Sequence, residues 1–315
     1  MRAAALVGLV AWAGFFVLGG GDPAKADWAQ VLLVFAALVL MPLAIDLLTE
    51  TGEADLPARL LRGAARVQPV AALALAGAAL LPPGPWAALA ALPWLIFTLM
   101  LAAVGVLRLR RDRWRRSLDG MCADAATLYV AIGGAWAVID RTGWQPLHFS
   151  PEIVTLTAVH FHYAGFVLPL LAGLVQRELF FVRLAAHAAI GIVLGVPTLA
   201  LGITVTQLGW GRSLETAAAL WLALAGLALA ILHVRLALDG RRVAMATRGL
   251  LVVAGASLFF GMVLASAYAL RVGPWLDLPQ MRALHGSVNA FGFALCGLIV
   301  WRRMRNSGGR PGPPV

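Results

Sequence analysis

Five residues in two apolar stretches carry the chemistry this sequence can offer: His160, His162 and Tyr163 in one, and His285 and Asn289 in the other. A neutral imidazole binds a metal or haem iron through a ring nitrogen, and it also serves as a relay for protons. Ionisable groups are expensive in hydrocarbon, so a segment that keeps two of them needs a reason. The reasons are a bound metal or haem, a proton or solute path, or a polar contact between helices. Spacing sorts the five. His160 and His162 are two residues apart, about 200° around a helix, so they point in nearly opposite directions. They cannot both ligate one small ion while the helix stays regular. His285, Asn289, Gly292 and Cys296 follow an i, i+4, i+7, i+11 pattern, one helix face of small and polar groups. Such a face packs closely against another helix or lines a cavity. Asn289, one turn from His285, is placed to orient its ring.

The elements that must position these groups are membrane spans. Residues 152–175 are long and apolar enough to cross a bilayer, and similar runs recur along the chain. Ten spans are predicted: 3–20, 28–49, 67–83, 85–107, 120–139, 152–175, 183–205, 214–235, 247–270 and 280–303. An interfacial helix is expected over 56–66. The runs are continuous rather than alternating, which excludes a β-barrel pattern. The predicted class is all-α: a polytopic helical bundle, with residues 1–305 as one transmembrane domain and 306–315 as a disordered tail. At 1.5 Å per residue, His160 and His162 lie about 12 and 15 Å along the sixth span from Glu152, and His285 about 9 Å past Pro279 in the tenth. Both spans enter from outside, so the expectation is a polar pocket in the outer half of the bilayer. Pro169 is expected to kink the sixth span.

Composition agrees with this class. Of 315 residues, 61% are hydrophobic and 13% charged, against about 25% charged in soluble domains. The net charge of +10 does not mark a nucleic-acid binder, because the arginines lie in short segments between spans. With the N-terminus inside, 20 of the 25 Lys and Arg fall on inner segments and 5 on outer ones. That alternation places both termini in the cytoplasm, with the lipid bilayer as the chain's first partner. Ala24-Lys25-Ala26 before Asp27 also has the form of a signal-peptide cleavage site; retention of the first span is the favoured reading. Cys122 and Cys296 lie inside spans and form neither a disulfide framework nor a zinc motif.

Other polar residues have plainer readings. Asp46 reads as an interfacial carboxylate that reaches water or meets an arginine. Asp119 and Asp124 open the fifth span at its inner end, and Asp124 is placed to pair with an arginine of the preceding basic loop. His187 and His233 read as interfacial, and His148 as solvated. No nucleophile–base pair, phosphate loop or paired carboxylates of a hydrolase or kinase are present.

Two resemblances rest on the quoted residues. Ala158-Val159-His160-Phe161-His162-Tyr163 resembles a helix of haem–copper oxidase subunit I, and Leu284-His285-Gly286-Ser287-Val288-Asn289-Ala290-Phe291-Gly292-Phe293 resembles a helix of reduced haem–copper-like membrane proteins. That resemblance implies haem ligation by His160 and His162 on opposite faces, with haem or copper as cofactor and His160, His162 and His285 as metal ligands. The adjacent His-His pair and the His-Pro-Glu-Val-Tyr copper motif of that family are absent. The longer string Leu156–Phe166, followed by the His285–Phe293 stretch, resembles the YndJ-like family of bacterial multi-pass membrane proteins, which implies a membrane protein, often labelled a transporter. Three functional readings follow: a transporter of a small solute or ion through a pocket of His160, His162, Tyr163, His285 and Asn289; a haem- or copper-binding protein; and a structural or assembly role in which the histidines only bond neighbouring helices.

Overall fold

Apolar runs of this length must satisfy their backbone internally, and in the structure they do so as helices. The structure, a computed structural model, describes residues 3–18, 28–48, 55–112, 116–180, 182–239, 244–273 and 275–306, and no strand occurs among them. The cleavage-like stretch at 24–26, part of the basic loop at 113–115 and the tail from 307 lie outside the described residues. The first helix is α1 (Ala3–Leu18). It is followed by α2 (Trp28–Leu48), α3 (Leu56–Leu80), α4 (Pro85–Asp112), α5 (Leu118–Thr142), α6 (Pro151–Glu178), α7 (Arg183–Gln207), α8 (Ser213–Leu238), α9 (Met245–Ala269) and α10 (Leu278–Asn306). The last nine are, among the described residues, long and apolar enough to cross a membrane. At 16 residues, α1 is shorter, about 24 Å long. The chain is an all-α polytopic membrane protein.

One element differs from expectation. The interfacial helix and the third span are a single helix, α3, of 25 residues. Asp55 caps its start by accepting from the Ala58 N–H at 2.9 Å, and Pro57 sits in its first turn, where no N–H is needed. Pro69 is carried inside it.

The chain divides into two compact units, Met1–Leu168 and Pro169–Val315, with the division inside α6. In the first unit α2 is the core: 94% of its apolar window is buried, against 39% for α3 and for α4. It packs against α1, α3 and α6, while α3, α4, α5 and α6 follow one another as neighbours. Trp12 donates to the Val31 carbonyl at 2.9 Å. Gly8 lies so close to α2 that a methyl there would sit 1.9 Å from the Leu38 oxygen, and only glycine permits that approach. In the second unit α7, α8, α9 and α10 follow one another as neighbours, and Gly297 of α10 meets Leu171 of α6. Gly209 and Gly211 turn the chain between α7 and α8 with φ of 80° and 94°.

The inner ends of the first unit are tied by ions. Arg116 bonds Asp124 at 2.8 Å and Asp112 at 2.9 Å, the pairing expected for Asp124, whose side chain is fully buried. Arg111 pairs with Asp55, and Arg108 donates to the Leu48 carbonyl at 2.9 Å. Asp46 is buried rather than water-exposed.

Candidate functional site

Proline shapes α6 around its polar residues. The stretch Tyr163–Val167 is a π-helical turn closed by the Leu168 N–H on the Tyr163 carbonyl. The next residue is Pro169, which has no N–H to give. The Ala164 carbonyl therefore loses both backbone donors: its α partner, Leu168, serves Tyr163, and its π partner is Pro169. The helix carries Pro169, the residue expected to kink it, just after this wide turn. The same device occurs in α2, where the π turn Ala36–Leu40 is closed by Met41 N–H on the Ala36 carbonyl just before Pro42. There the orphaned Ala37 carbonyl accepts from Gln68 Nε2 of α3 at 2.8 Å.

The residues that open this turn have distinct surroundings. Trp94 Nε1 of α4 donates to His162 Nε2 at 2.9 Å, and the two rings stack at 5.7 Å. Indole nitrogen only donates, so His162 Nε2 must carry its lone pair, and the ring is neutral. Its Nδ1–H donates to the Ala158 carbonyl at 2.7 Å. Gly133 of α5 leaves room for this ring; a methyl there would sit 2.8 Å from Nδ1. With both nitrogens engaged, His162 has no lone pair for a metal. His160 faces elsewhere, as its spacing requires: the side chain is exposed, and Nδ1–H donates to the Leu156 carbonyl at 2.8 Å. That bond leaves the Nε2 lone pair outward. Tyr163 donates its hydroxyl to the Leu32 carbonyl of α2 at 2.9 Å.

In the second unit α10 is π-helical over Met281–Gly286 and Val288–Leu295, the stretches that hold His285 and Asn289. His285 Nδ1–H donates to the Gly261 carbonyl of α9 at 2.8 Å. Asn289 Nδ2 donates to the His285 backbone carbonyl at 2.8 Å, so the ring is oriented by Gly261 and not by Asn289. The small-residue face packs on α9: Gly292 lies against Ser257, and Gly261 against Asn289. The structure thus groups His160, His162 and Tyr163 in one unit and His285 and Asn289 in the other. Among the described residues no group of three His, Cys, Asp or Glu is placed to hold a metal ion.

Several polar groups were not legible beforehand. In the sequence nothing sets Trp94 or Gln68 apart; only a partner brought from another helix makes them polar contacts. Asp140 pairs with Arg141 at 2.6 Å and accepts from Thr155, and the adjacent acid and base were its sequence signal. His233, expected at the interface, is fully buried. Its Cβ leans toward the helix N-terminus, carrying the ring against Phe293. Nδ1–H donates to the Leu229 carbonyl, while Nε2 has no partner among the described residues.

A model of the YndJ-like protein family matches residues 31–293. The chain belongs to the YndJ-like family. The match takes in the core helix α2 from Val31 on, the whole of α6, and α10 through His285, Asn289 and Gly292. An uncharacterized membrane protein YndJ of Bacillus subtilis (strain 168) is 30% identical over 217 residues, 67% of this chain and 38% of that protein's length. The chain thus spans well under two thirds of that relative. No solved structure matches, so the haem–copper likeness stays a resemblance of single helices. This YndJ-like chain is a multi-pass bacterial membrane protein.

Proposed function

We propose that this YndJ-like protein moves a small cation, the proton included, across the membrane, with the His160 imidazole and the Ala164 carbonyl of α6 as successive intermediate positions. The observation that carries this reading is the π turn ahead of Pro169. It frees a backbone carbonyl one helical turn from an imidazole with an outward Nε2 lone pair. Interrupted spans serve transporters in this way, since an unwound carbonyl coordinates a cation without an ionised side chain in hydrocarbon. The imidazole leans toward the helix N-terminus and the carbonyl points toward its C-terminus, so the two neutral donors act as successive weak stops for a cation rather than as one site.

The test uses purified protein in sealed vesicles with an imposed potential and an internal dye for H⁺, Na⁺ or K⁺. Flux of one of these ions should appear with the protein and fall at least tenfold in His160→Gln. Absence of flux for all three ions, or equal flux in the variant, removes the reading. The second reading, ligation of haem or copper, is favoured by one observation: the His160 tautomer leaves Nε2 as a donor for iron. A Soret band lost in His160→Ala would select it. Normal folding with neither flux nor a chromophore leaves the structural or assembly role.

A further inference from the structure

Helix α3 keeps one face clear of its neighbours from end to end. Arg59, Arg62, Arg66, Val70, Leu73 and Leu80 are all exposed, and at about 100° per residue they fall within about 80° of one another around the helix. The face is divided along its length. Three arginines occupy the half nearer Asp55, and apolar side chains occupy the other, with Val70 68% and Leu73 55% exposed. Charge and apolar surface in that order match a phospholipid, head group first and acyl chain after.

Depth in the bilayer sharpens this. Trp86, 77% exposed, stands in the first turn of α4, just past the end of α3, and marks one membrane boundary. Counting back from Leu80 at about 1.5 Å per residue puts Arg59 about 31 Å away and Arg66 about 21 Å. The hydrocarbon layer is about 30 Å thick, so Arg59 stands at the opposite head-group layer and the backbone of Arg66 lies roughly 10 Å inside it. Helical side chains lean toward the N-terminus, here the head-group end, so the long stems of Arg62 and Arg66 carry their guanidinium groups back to that layer. A guanidinium held there needs an anion. Asp55, one turn ahead on the same face, is taken by Arg111 and by the Ala58 N–H, and Asp112 by Arg111 and Arg116. Phosphate is the anion that the head-group layer itself supplies. We infer that this face of α3 binds an anionic phospholipid, its phosphate between Arg62 and Arg66, Arg59 at the outer edge of the head group, and an acyl chain along Val70, Leu73 and Leu80. A zwitterionic lipid brings an ammonium that the three arginines repel. The site is separate from the α6 positions and does not rest on the transport reading.

Native mass spectrometry of the full-length protein, titrated with short-chain phosphatidylglycerol, phosphatidylethanolamine and phosphatidylcholine, tests this. Phosphatidylglycerol should bind at least tenfold more tightly than either zwitterionic lipid. Arg59→Gln, Arg62→Gln and Arg66→Gln should each weaken it about fivefold, and the three together about a hundredfold. Arg177→Gln, which removes an exposed arginine of α6, should leave it unchanged. The three positions on α3 are exposed, so the single variants keep the packing of the core and read the site even where the triple variant folds poorly. A second arm locates the acyl chain. A fluorophore on Val70→Cys, in a background lacking Cys122 and Cys296, should be quenched by phosphatidylglycerol with brominated chains over the same concentration range. Equal binding of the three lipids, the same loss in Arg177→Gln as in Arg62→Gln, or no quenching at position 70 overturns the proposal.

Discussion

The His162–Trp94 pair is where a single contact has the most to say. Its imidazole lone pair is buried, and without the indole donor nothing replaces it. Leaving a buried acceptor unsatisfied costs about 1–3 kcal/mol in general, whereas double-mutant cycles on interhelical bonds within membranes average about 0.6 and reach about 1.7. The membrane figure governs here, because the unfolded state in lipid also finds partners. Trp94→Phe keeps the stack and loses the donor, so it should lower stability by about 1 kcal/mol. A cycle with His162→Phe should show coupling of similar size, and additivity within about 0.3 kcal/mol would deny the bond any specific role. Asp124 gives a stronger contrast. Arg116→Gln takes the guanidinium from a fully buried carboxylate, and breaking a buried pair typically costs about 3–5 kcal/mol. Denaturation of Arg116→Gln and of Arg116→Gln with Asp124→Asn should show most of that loss recovered in the double variant.

At the scale of the helix, proline and its rescuer form a unit. Gln68 is needed because Pro42 gives no N–H to the Ala37 carbonyl. Gln68→Leu should therefore destabilise the native chain, yet be nearly neutral in a Pro42→Ala background, where a backbone donor is restored. Equal costs in both backgrounds would show that Gln68 acts by something other than this bond. The start of α3 carries a pH signature. The Ala58 N–H, then Arg111, holds the Asp55 carboxyl below its ordinary value of 3.8. A carboxylate with a lowered folded pKa contributes stability that is present above that ordinary value and lost as pH falls through the lowered one. The stability gap between native chain and Asp55→Ala should thus be constant near neutrality and close in acid. A gap that widens on acidification would contradict the cap.

For the whole molecule the testable quantity is topology. Glycines of the outer turns hold positive φ, 76° at Gly143 and 80° at Gly209, so a cysteine there is strained. Their exposed neighbours Trp144, Trp210 and Val272, 63%, 77% and 59% accessible, are better sites. Cysteines at these three should react with an impermeant thiol reagent added to intact cells, in a background lacking Cys122 and Cys296. Cysteines at Leu238 and Met245, equally exposed at 77% and 78%, should react only after the cells are opened. Labelling of the second pair in sealed cells would invert the orientation.

Spans and class were legible in the sequence because they are one-dimensional quantities: run length and mean apolarity. So was the close packing of the His285–Asn289–Gly292 face, since its spacing alone gathers small groups on one side of a helix. The opposed directions of His160 and His162 followed from the helical period, and the Asp124–Arg116 pair from charge and nearness in the chain. Tertiary structure alone decided what each polar atom meets. Trp94 lies 68 residues from His162, Leu32 131 residues from Tyr163, and Gly261 24 residues from His285, separations at which no local pattern names the partner. It also decided the fate of a carbonyl next to proline. In α2 and α6 alike the turn before proline widens into a π turn, and only the neighbouring helix decides whether the carbonyl set free meets a donor, as Ala37 meets Gln68 of α3.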